Sequence, residues 1–391
     1  MAYLEKRGKN SWRLVVNAGY DANGKRIRRT KTVKGLTKRE AEKELAKFQA
    51  EVEAGEYIAP EKMTFADFVE EWKEKYAKKH LGPKTYETYV LHLRNRIIPA
   101  MGHLRLDQIK PIHIINFLEN LEEEGLRQDG KQGKLSQGTI EYYHKILRNV
   151  FKRAEEWKLI KESPAASVKK PKTAYKEAQV YDQKQVEALF EALEKEPLTW
   201  KVMITLAVTC GLRRGELLGL EWEHIDLEAG TIHIKQNLTY VSGQGFVIKE
   251  PKTKNSIRKV TVPQHVIKML RKLKLQKMEE RMKADDLWEG GEHFFVFSSW
   301  NGKPINPSSV KTWWKRFTDR HNLPYIRFHD LRHTSATLLI NQGVHMKTIS
   351  ARLGHANILT TMNIYGHALE EADRAAAEKF DTLFKTKKEQ A

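Results

Sequence analysis

The sequence HDLRHTSATLLINQGVHMKTISARLGHANILTTMNIYGH occupies residues 329–367, and the rest of the chain is organised around it. Its apolar run around Leu338 predicts a helix that starts near His329 and ends near Gly343. Arg332 follows His329 by three positions, so we expect both side chains on one face of that helix. Two polar or cationic side chains placed in this way can face a single anion.

A second helix is predicted over residues 345–353, and Gly354 is expected to end it. His355 follows directly, where a loop histidine can be aimed into a cleft. A third, short helical stretch presents Tyr365, and Gly366 behind it permits a turn or a hinge. The tyrosine is therefore expected at a position that can move.

Taken one at a time, a histidine or a tyrosine in an amphipathic helix is more often structural than catalytic. The ordered set H-x-x-R, L-G-H and T-x-x-x-Y-x-H, however, resembles the tyrosine recombinases, which include phage integrases and the integrases of conjugative transposons. Residues 209–217, TCGLRRGEL, resemble the first arginine box of that family. Residues 251–256, PKTKNS, resemble the hairpin that carries its catalytic lysine. The three segments occur in the family's order.

The resemblance implies the following catalytic residues in this chain: Arg213, Lys252, His329, Arg332, His355 and the nucleophile Tyr365. Arg214 is the adjacent alternative to Arg213, and Lys254 is the alternative to Lys252. Glu216 lies three positions after Arg213, so its carboxylate can hold neighbouring groups in place.

Cleavage of an anionic phosphodiester needs charge stabilisation, an in-line nucleophile and a proton for the leaving oxygen. The two arginines can grip the non-bridging oxygens through bidentate hydrogen bonds, and His355 would donate to the same oxygens. A free phenol has a pKa of about 10, so Tyr365 needs a base; His329 is the candidate base and Lys252 the candidate acid. The resemblance implies a covalent 3′-phosphotyrosine and a free 5′-hydroxyl. The sequence contains no P-loop or metal-ligand pattern, and we expect no cofactor.

The composition favours a polyanionic partner. The chain has 391 residues, enough for two or three domains, with a net charge of +19 and a pI of about 9.6. No apolar run reaches the roughly 18 residues that span a bilayer, and the N-terminus lacks the apolar centre of a signal peptide. Double-stranded DNA is therefore favoured over a membrane. Because Cys210 is the only cysteine, no internal disulfide can form, and we expect a cytoplasmic protein that associates with the nucleoid on DNA.

Residues 1–57 predict a small three-stranded sheet followed by a helix. The pair Asn23-Gly24 is a strong hairpin signal, and Thr37 with Glu40 predicts a capping box at the helix start. The segment is similar to the arm-type DNA-binding domain of many integrases. Its candidate contacts to DNA are Arg26, Arg28, Arg29 and Lys31. The alternative is that these charges form only a solvated face.

Residues 64–168 predict a helical unit that resembles the SAM-like core-binding domain of the family. Its aromatic stripe is expected in the core and comprises Phe65, Phe68, Trp72 and Tyr76. Its candidate phosphate contacts are Lys78, Lys79, Lys84, Arg94 and Arg96. Residues 169–177 predict a basic, proline-containing linker, in which Lys169 and Lys170 are expected to lie along the DNA.

Residues 178–391 are the candidate catalytic domain, mainly α-helical with a small antiparallel sheet. Strand patterns over 231–236, 247–249 and 259–262 predict one sheet that presents Lys252 on its turn. Beyond the tyrosine, apolar residues recur at helical spacing: Leu369, Ala372, Ala376, Phe380, Leu383 and Phe384. This tail either packs on its own domain or, as the resemblance implies, docks on a neighbouring protomer.

The sequence thus predicts a multidomain α+β integrase that integrates and excises a mobile element. Joining two duplexes requires several active sites, so we expect a homotetramer on DNA attachment sites. An excisionase and a DNA-bending protein are candidate further partners. Two alternatives remain: a DNA-relaxing enzyme similar to type IB topoisomerases, and a DNA-binding regulator without catalysis.

Overall fold

The computed structural model describes residues 2–20, 24, 26–54, 63–172, 178–250, 256–354 and 377. The chain forms two compact units, Met1–Ala174 and Tyr175–Ala391. Among the residues just given, no helix is both long enough and apolar enough to cross a lipid bilayer. The finer division at residues 57, 64, 168 and 178 remains a prediction.

The first unit begins with an antiparallel sheet in the order β1-β2-β3, formed by Ala2–Gly8, Ser11–Tyr20 and Arg26–Lys34. Helix α1, Lys38–Glu53, follows with the predicted capping box: Glu40 N donates to Thr37 Oγ1 at 3.4 Å, and Thr37 N donates to Glu40 Oε2 at 2.8 Å. The sheet packs on α1 through a small buried cluster of Leu14, Val16 and Phe48. The predicted sheet and helix are confirmed.

The strand register divides the basic side chains of β3 between the two faces of this sheet. Residues paired across neighbouring antiparallel strands project to the same face. Arg29 pairs with Val16 and Lys31 pairs with Leu14, so both lie on the face that packs against α1. Arg28 is offset from Arg29 by one residue and lies on the opposite face. The predicted DNA contacts of β3 therefore do not share one surface.

The rest of the first unit is helical, and two of its helical segments contain a π turn, at Lys73–Ala77 and Leu93–Ile97. Each π turn adds a residue to the helix and rotates the face that the following residues present. A 3₁₀ turn lies at Leu106–Gln108. The helices are α2 (Phe65–Trp72), α3 (Lys78–His80), α4 (Pro83–His92), α5 (Ile98–Met101), α6 (Pro111–Asn120) and α7 (Gln137–Glu156).

The aromatic stripe predicted for this helical region lies in its core. Phe65, Phe68 and Trp72 are fully buried, and Phe65 stacks on Phe151 with ring centroids 5.0 Å apart. Tyr76 is only partly buried. The three buried rings stabilise the packing of the helices and are not available to stack on bases.

The second unit is mainly helical with short strands. Its helices are α8 (Gln183–Leu193), α9 (Leu198–Cys210), α10 (Arg214–Leu218), α11 (Gln264–Ala284), α12 (Pro307–Arg320), α13 (Asp330–Asn341) and α14 (Met346–Leu353). Its strands are β4 (Ile225–Asp226), β5 (Thr231–Ile234), β6 (Asn237–Val241), β7 (Gly245–Lys249) and β8 (Arg258–Thr261). Two 3₁₀ turns lie at Trp222–His224 and Asp285–Leu287. The almost wholly buried α9 crosses the core.

The strands form two sheets and not the single predicted one. Strands β4, β5 and β8 form one antiparallel sheet in the order β4-β5-β8, and β6 pairs with β7 in another. Gly243 and Gly245 both have φ of 77°, which allows the tight turn between β6 and β7. Because β7 pairs with β6 in this hairpin, it does not pair with β8, which pairs with β5. Lys252, which lies outside the described residues, is thus flanked by strands of different sheets, and the prediction of one sheet was wrong.

Candidate active site

The candidate site forms where the end of α9 meets the end of α14. Gly211 ends α9 with φ of 62°, and a Cβ atom there would lie only 2.3 Å from Leu353 Cδ2. Gly354 ends α14, as predicted, with φ of 67°. Both positions need glycine for the left-handed backbone and for the close approach. The two glycines therefore bring the first arginine box next to the segment that continues into His355.

A buried carboxylate lies beside this junction between two arginines. Glu216 is 4% exposed and accepts hydrogen bonds from Arg213 Nη1 at 2.6 Å and from Arg213 N at 3.0 Å. Arg258 at the start of β8 donates from Nη1 to Glu216 Oε1 at 3.2 Å and from Nη2 to Oε2 at 2.9 Å. Burial alone would raise the pKa of Glu216, but the hydrogen bonds and charge of Arg258, and the charge of Arg213, lower it. The carboxylate is therefore ionised.

Arg258 is a residue that our sequence reasoning missed. Exposure alternates along β8, and Arg258 and Val260 are the inward-facing positions. An arginine at an inward-facing strand position is rarely buried without an acidic partner. That pattern was the available signal, but it does not tell which carboxylate is the partner.

Arg332 holds the two halves of the junction together. It is 2% exposed, and it donates from Nη1 to the carbonyl of Gly211 at 2.7 Å and from Nη2 to the carbonyl of Leu353 at 2.6 Å. Arg213, in contrast, has a side chain that is 33% exposed. The structure thus places Arg332 inside the junction and Arg213 at its surface. Contact of either arginine with a phosphate stays a prediction.

A cleft of about 440 Å³ lies beside Arg213. Its charged and polar lining comprises Arg213, Arg214, Lys311, Tyr325, Arg327 and His329. Arg214, the alternative to Arg213, donates to the carbonyl of Pro307 at 3.2 Å, and burial lowers the pKa of its guanidinium. The buried Asp330 holds Arg327 by two hydrogen bonds of 2.9 and 2.8 Å. This grouping of cationic side chains suits an anionic ligand.

His329 precedes α13 as its N-cap residue and reaches this cleft. His329 is exposed at the cleft, but the protein packed around its imidazole partly desolvates the ring and so lowers its pKa, and the charge of Arg332 lowers the pKa further. The imidazole is therefore neutral at pH 7. A neutral imidazole can accept a proton, which is the state that a general base requires.

Several predicted residues lie outside the residues that the structure describes. They are Lys252 and its alternative Lys254, His355, Tyr365, and the tail residues Leu369, Ala372, Ala376, Phe380, Leu383 and Phe384. Of the predicted catalytic set, Arg213, His329 and Arg332 are described. These three, with Glu216, belong to one site.

Two of the lysines predicted to contact DNA, Lys84 and Lys170, form ion pairs at the protein surface. Lys84 lies 2.6 Å from Glu87, and Lys170 lies 2.7 Å from Glu141. Arg94 and Lys169 are exposed. Such exposed ion pairs contribute little to stability, so their lysines can exchange a carboxylate for a phosphate at small cost.

Two stretches of the chain match known families. Residues 64–121 match the N-terminal SAM-like domain of phage integrases, and residues 179–372 match the phage integrase family. The tyrosine recombinase XerC-like protein of Caldanaerobacter subterraneus subsp. tengcongensis is 31% identical over 395 residues, which cover 97% of this chain and 98% of that protein. The chain belongs to the phage integrase family, whose members are tyrosine recombinases that break and rejoin DNA. The predicted resemblance of the chain to the tyrosine recombinases is confirmed.

Solved structures share the fold. The Tn1549 transposon integrase in complex with circular intermediate DNA has a TM-score of 0.65 at 21% identity, covering 81% of this chain and 99% of that one. A lambda integrase tetramer bound to a Holliday junction has a TM-score of 0.54 at 18% identity, covering 92% and 94%. The fold is therefore that of the tyrosine recombinases, with a SAM-like domain before the catalytic domain.

Proposed function

We propose that this chain is a site-specific integrase that cleaves and rejoins DNA through a covalent 3′-phosphotyrosine, and so integrates and excises a mobile element. The observation that carries the proposal is the ionised Glu216 that holds Arg213 next to the segment leading into His355. Arg213 there borders a cleft rich in cationic side chains. Membership of the family supplies the reaction class.

In the proposed reaction, the phenolic oxygen of Tyr365 attacks the scissile phosphorus while the bond from phosphorus to the 5′-oxygen breaks. His329 accepts the phenolic proton, and Lys252 donates a proton to the departing 5′-oxygen. A 5′-hydroxyl then attacks the phosphotyrosine, and the two protons return by the reverse route. Because the covalent link retains the energy of the phosphodiester, rejoining needs no ATP.

Arg213, Arg332 and His355 are proposed to stabilise the negative charge that develops on the non-bridging oxygens. Loss of one such donor typically reduces the rate on the order of 10²-fold to 10³-fold. Arg332 also bonds the carbonyls of Gly211 and Leu353, so its replacement should disturb the junction as well as the charge. Arg213 is the residue whose loss should affect the phosphate most directly.

The first unit is proposed to hold the DNA on which the second unit acts. The segment 1–57 would bind arm-type sites through the face of its basic sheet that presents Arg28, whereas the candidates Arg29 and Lys31 lie on the face that packs against α1. Residues 64–168 would clamp the core site, and the linker 169–177 would follow the DNA backbone. Phosphate contacts of this kind fix position and orientation and make binding depend strongly on salt.

Strand exchange between two duplexes is proposed to require four protomers. The tail beyond Tyr365 would dock on a neighbouring protomer and couple the active sites. An excisionase and a DNA-bending protein would set the direction of the reaction and the shape of the DNA. The proposal places the protein in the cytoplasm, where its DNA substrates are.

The test is a covalent trapping assay with a nicked DNA that carries the element's attachment site. The nick lets the short 5′-hydroxyl strand diffuse away, so the protein stays linked to its substrate. We expect a phosphotyrosyl adduct with the wild type and none with Tyr365→Phe, although both proteins bind the DNA. An adduct with both proteins would show that another tyrosine is the nucleophile.

Two other outcomes separate the alternatives. If the wild type binds DNA but forms no adduct, the regulator without catalysis is favoured. If it forms adducts at many unrelated sequences and relaxes supercoiled DNA, the enzyme similar to type IB topoisomerases is favoured.

A further inference from the structure

We propose that Arg258 is a positioning residue that neutralises Glu216 and thereby leaves the positive charge of Arg213 available to the scissile phosphate. The inference rests on the proposed function of the site. It assigns a role to a buried arginine that none of the three recognised sequence segments contains.

The carboxylate of Glu216 is shared between the guanidinium groups of Arg213 and Arg258. Both oxygens of Glu216 accept hydrogen bonds from Arg258, whereas Arg213 uses a single guanidinium nitrogen for the same carboxylate. Two guanidinium groups and one carboxylate leave a net charge of one positive unit. Without Arg258, Arg213 and Glu216 would form a neutral pair, and Arg213 would contribute little net attraction for a phosphate. Because the side chains of Arg258 and Glu216 are 6% and 4% exposed, solvent screens this interaction only weakly.

The remaining contacts of Arg258 fix its guanidinium independently of Arg213. Nε donates to the carbonyl of Arg352 at 2.7 Å, and Nη1 donates to the carbonyl of Ser256 at 3.1 Å. The side chain also packs on Gly354, where an added Cβ would lie 2.9 Å from Nη1. Arg258 is thus anchored on one side to Ser256, which follows residues 251–255, and on the other side to Arg352 and Gly354, which precede His355.

The contacts of Arg213 show what Glu216 would keep without Arg258. Oε1 would still accept from Arg213 Nη1, and Oε2 would still accept from Arg213 N. The second terminal nitrogen of Arg213, Nη2, donates to the carbonyl of Gly354 at 3.3 Å. Of these donors only the guanidinium of Arg213 is charged, so its charge would be spent on the buried carboxylate.

The experiment measures adduct formation at saturating DNA with the wild type and Arg258→Met. We expect the variant to form the adduct at least about 30-fold more slowly, while its affinity for DNA stays within about threefold. Arg271→Met is the matched control, since it removes an arginine from a surface ion pair with Glu228 in the same unit. The control should cleave at the wild-type rate.

A methylphosphonate at the scissile position separates this role from a merely structural one. The methyl group replaces one non-bridging oxygen and removes the negative charge that Arg213 is proposed to meet. The deficit of Arg258→Met should therefore shrink by about tenfold or more on the neutral substrate. An equal deficit on both substrates, or no deficit on natural DNA, would overturn the inference.

A double variant covers the case in which Arg258→Met does not fold. Arg258→Met with Glu216→Gln contains no uncompensated carboxylate at position 216, and of the three side chains at positions 213, 216 and 258 only Arg213 keeps a charge. A folded double variant should form the adduct on natural DNA within about 30-fold of the wild-type rate. A folded but inactive double variant would contradict the inference. Absence of an adduct with the wild type would instead contradict the proposed function.

Discussion

At the scale of single residues, His329, the N-cap residue of α13, contacts His333 in the first turn of that helix. Their rings meet edge to face at 89° with centroids 5.3 Å apart. Burial lowers the pKa of His333 to about 4, and the neighbouring His329 and Arg332 add to the effect. His333 is therefore neutral in the folded protein at pH values where an unfolded chain would carry a charged histidine. The neutral His333 therefore adds no positive charge beside His329, the proposed base.

Replacing His333 with Gln should flatten the pH dependence of stability between pH 6.5 and about 4. In that range the unfolded chain binds the proton and the folded protein does not, so the free energy of unfolding falls as the pH falls. We expect the wild type to lose on the order of 1 kcal/mol that His333→Gln does not lose. Thermal unfolding at several pH values measures this, with the exposed His103→Gln as control. Parallel curves for wild type and His333→Gln would contradict the assignment.

At the scale of elements, β3 shows how register decides which charges can meet DNA. Lys47 lowers the pKa of Glu44 on α1 most, and Lys31 lowers it further, which agrees with Lys31 facing the helix. Arg28 projects from the other face of the sheet, which α1 does not cover. A sheet that docks on DNA would present this uncovered face.

Arg28→Ala should weaken binding to arm-type DNA and reduce the slope of log K against log salt by about one. Lys31→Ala is its matched control, because it removes one positive charge from the same strand on the helix face. We expect the control to change the affinity by less than about twofold. Titrations at several salt concentrations give both quantities. Equal losses for the two variants would mean that the sheet does not bind through the face of Arg28.

Among the elements, helix ends could be predicted from the sequence, whereas long-range pairings could not. The capping box at Thr37 and the glycine end at Gly354 are local signals, and the structure has helix ends at these positions. The partner of Arg258 lies 42 residues away, and no local rule selects Glu216 from the other acidic residues. Strand β6 was missed because its pairing with β7 depends on a turn whose glycines adopt positive φ. Long-range pairs are fixed by packing and not by periodicity.

At the scale of the whole molecule, the two units carry different parts of the proposed function. The SAM-like region lies in the first unit, and the arginine junction lies in the second. A net charge of +19 over the chain would draw both units to the same polyanion. Communication between protomers is proposed for the segment beyond Tyr365.

Deletion of residues 371–391 should separate cleavage from exchange. The truncated chain keeps Tyr365 and should still form the covalent adduct on a single site, within about threefold of the full chain. We expect it to lose assembly of the four-protomer complex and the exchange of strands. Sedimentation on DNA and recombination between two labelled duplexes measure these losses. A truncated chain that still assembles and recombines would show that the tail packs on its own domain.

The separation of β7 from β8 bears on how such proteins diverge. Lys249 is paired with Asn237 and Arg258 with Ile234, so β7 and β8 belong to separate sheets whose registers are set independently. A shift in the register of β7 would therefore leave the pairing of β5 with β8 unchanged. Sequence changes in β7 can accumulate while Arg258 keeps its inward-facing position beside Glu216.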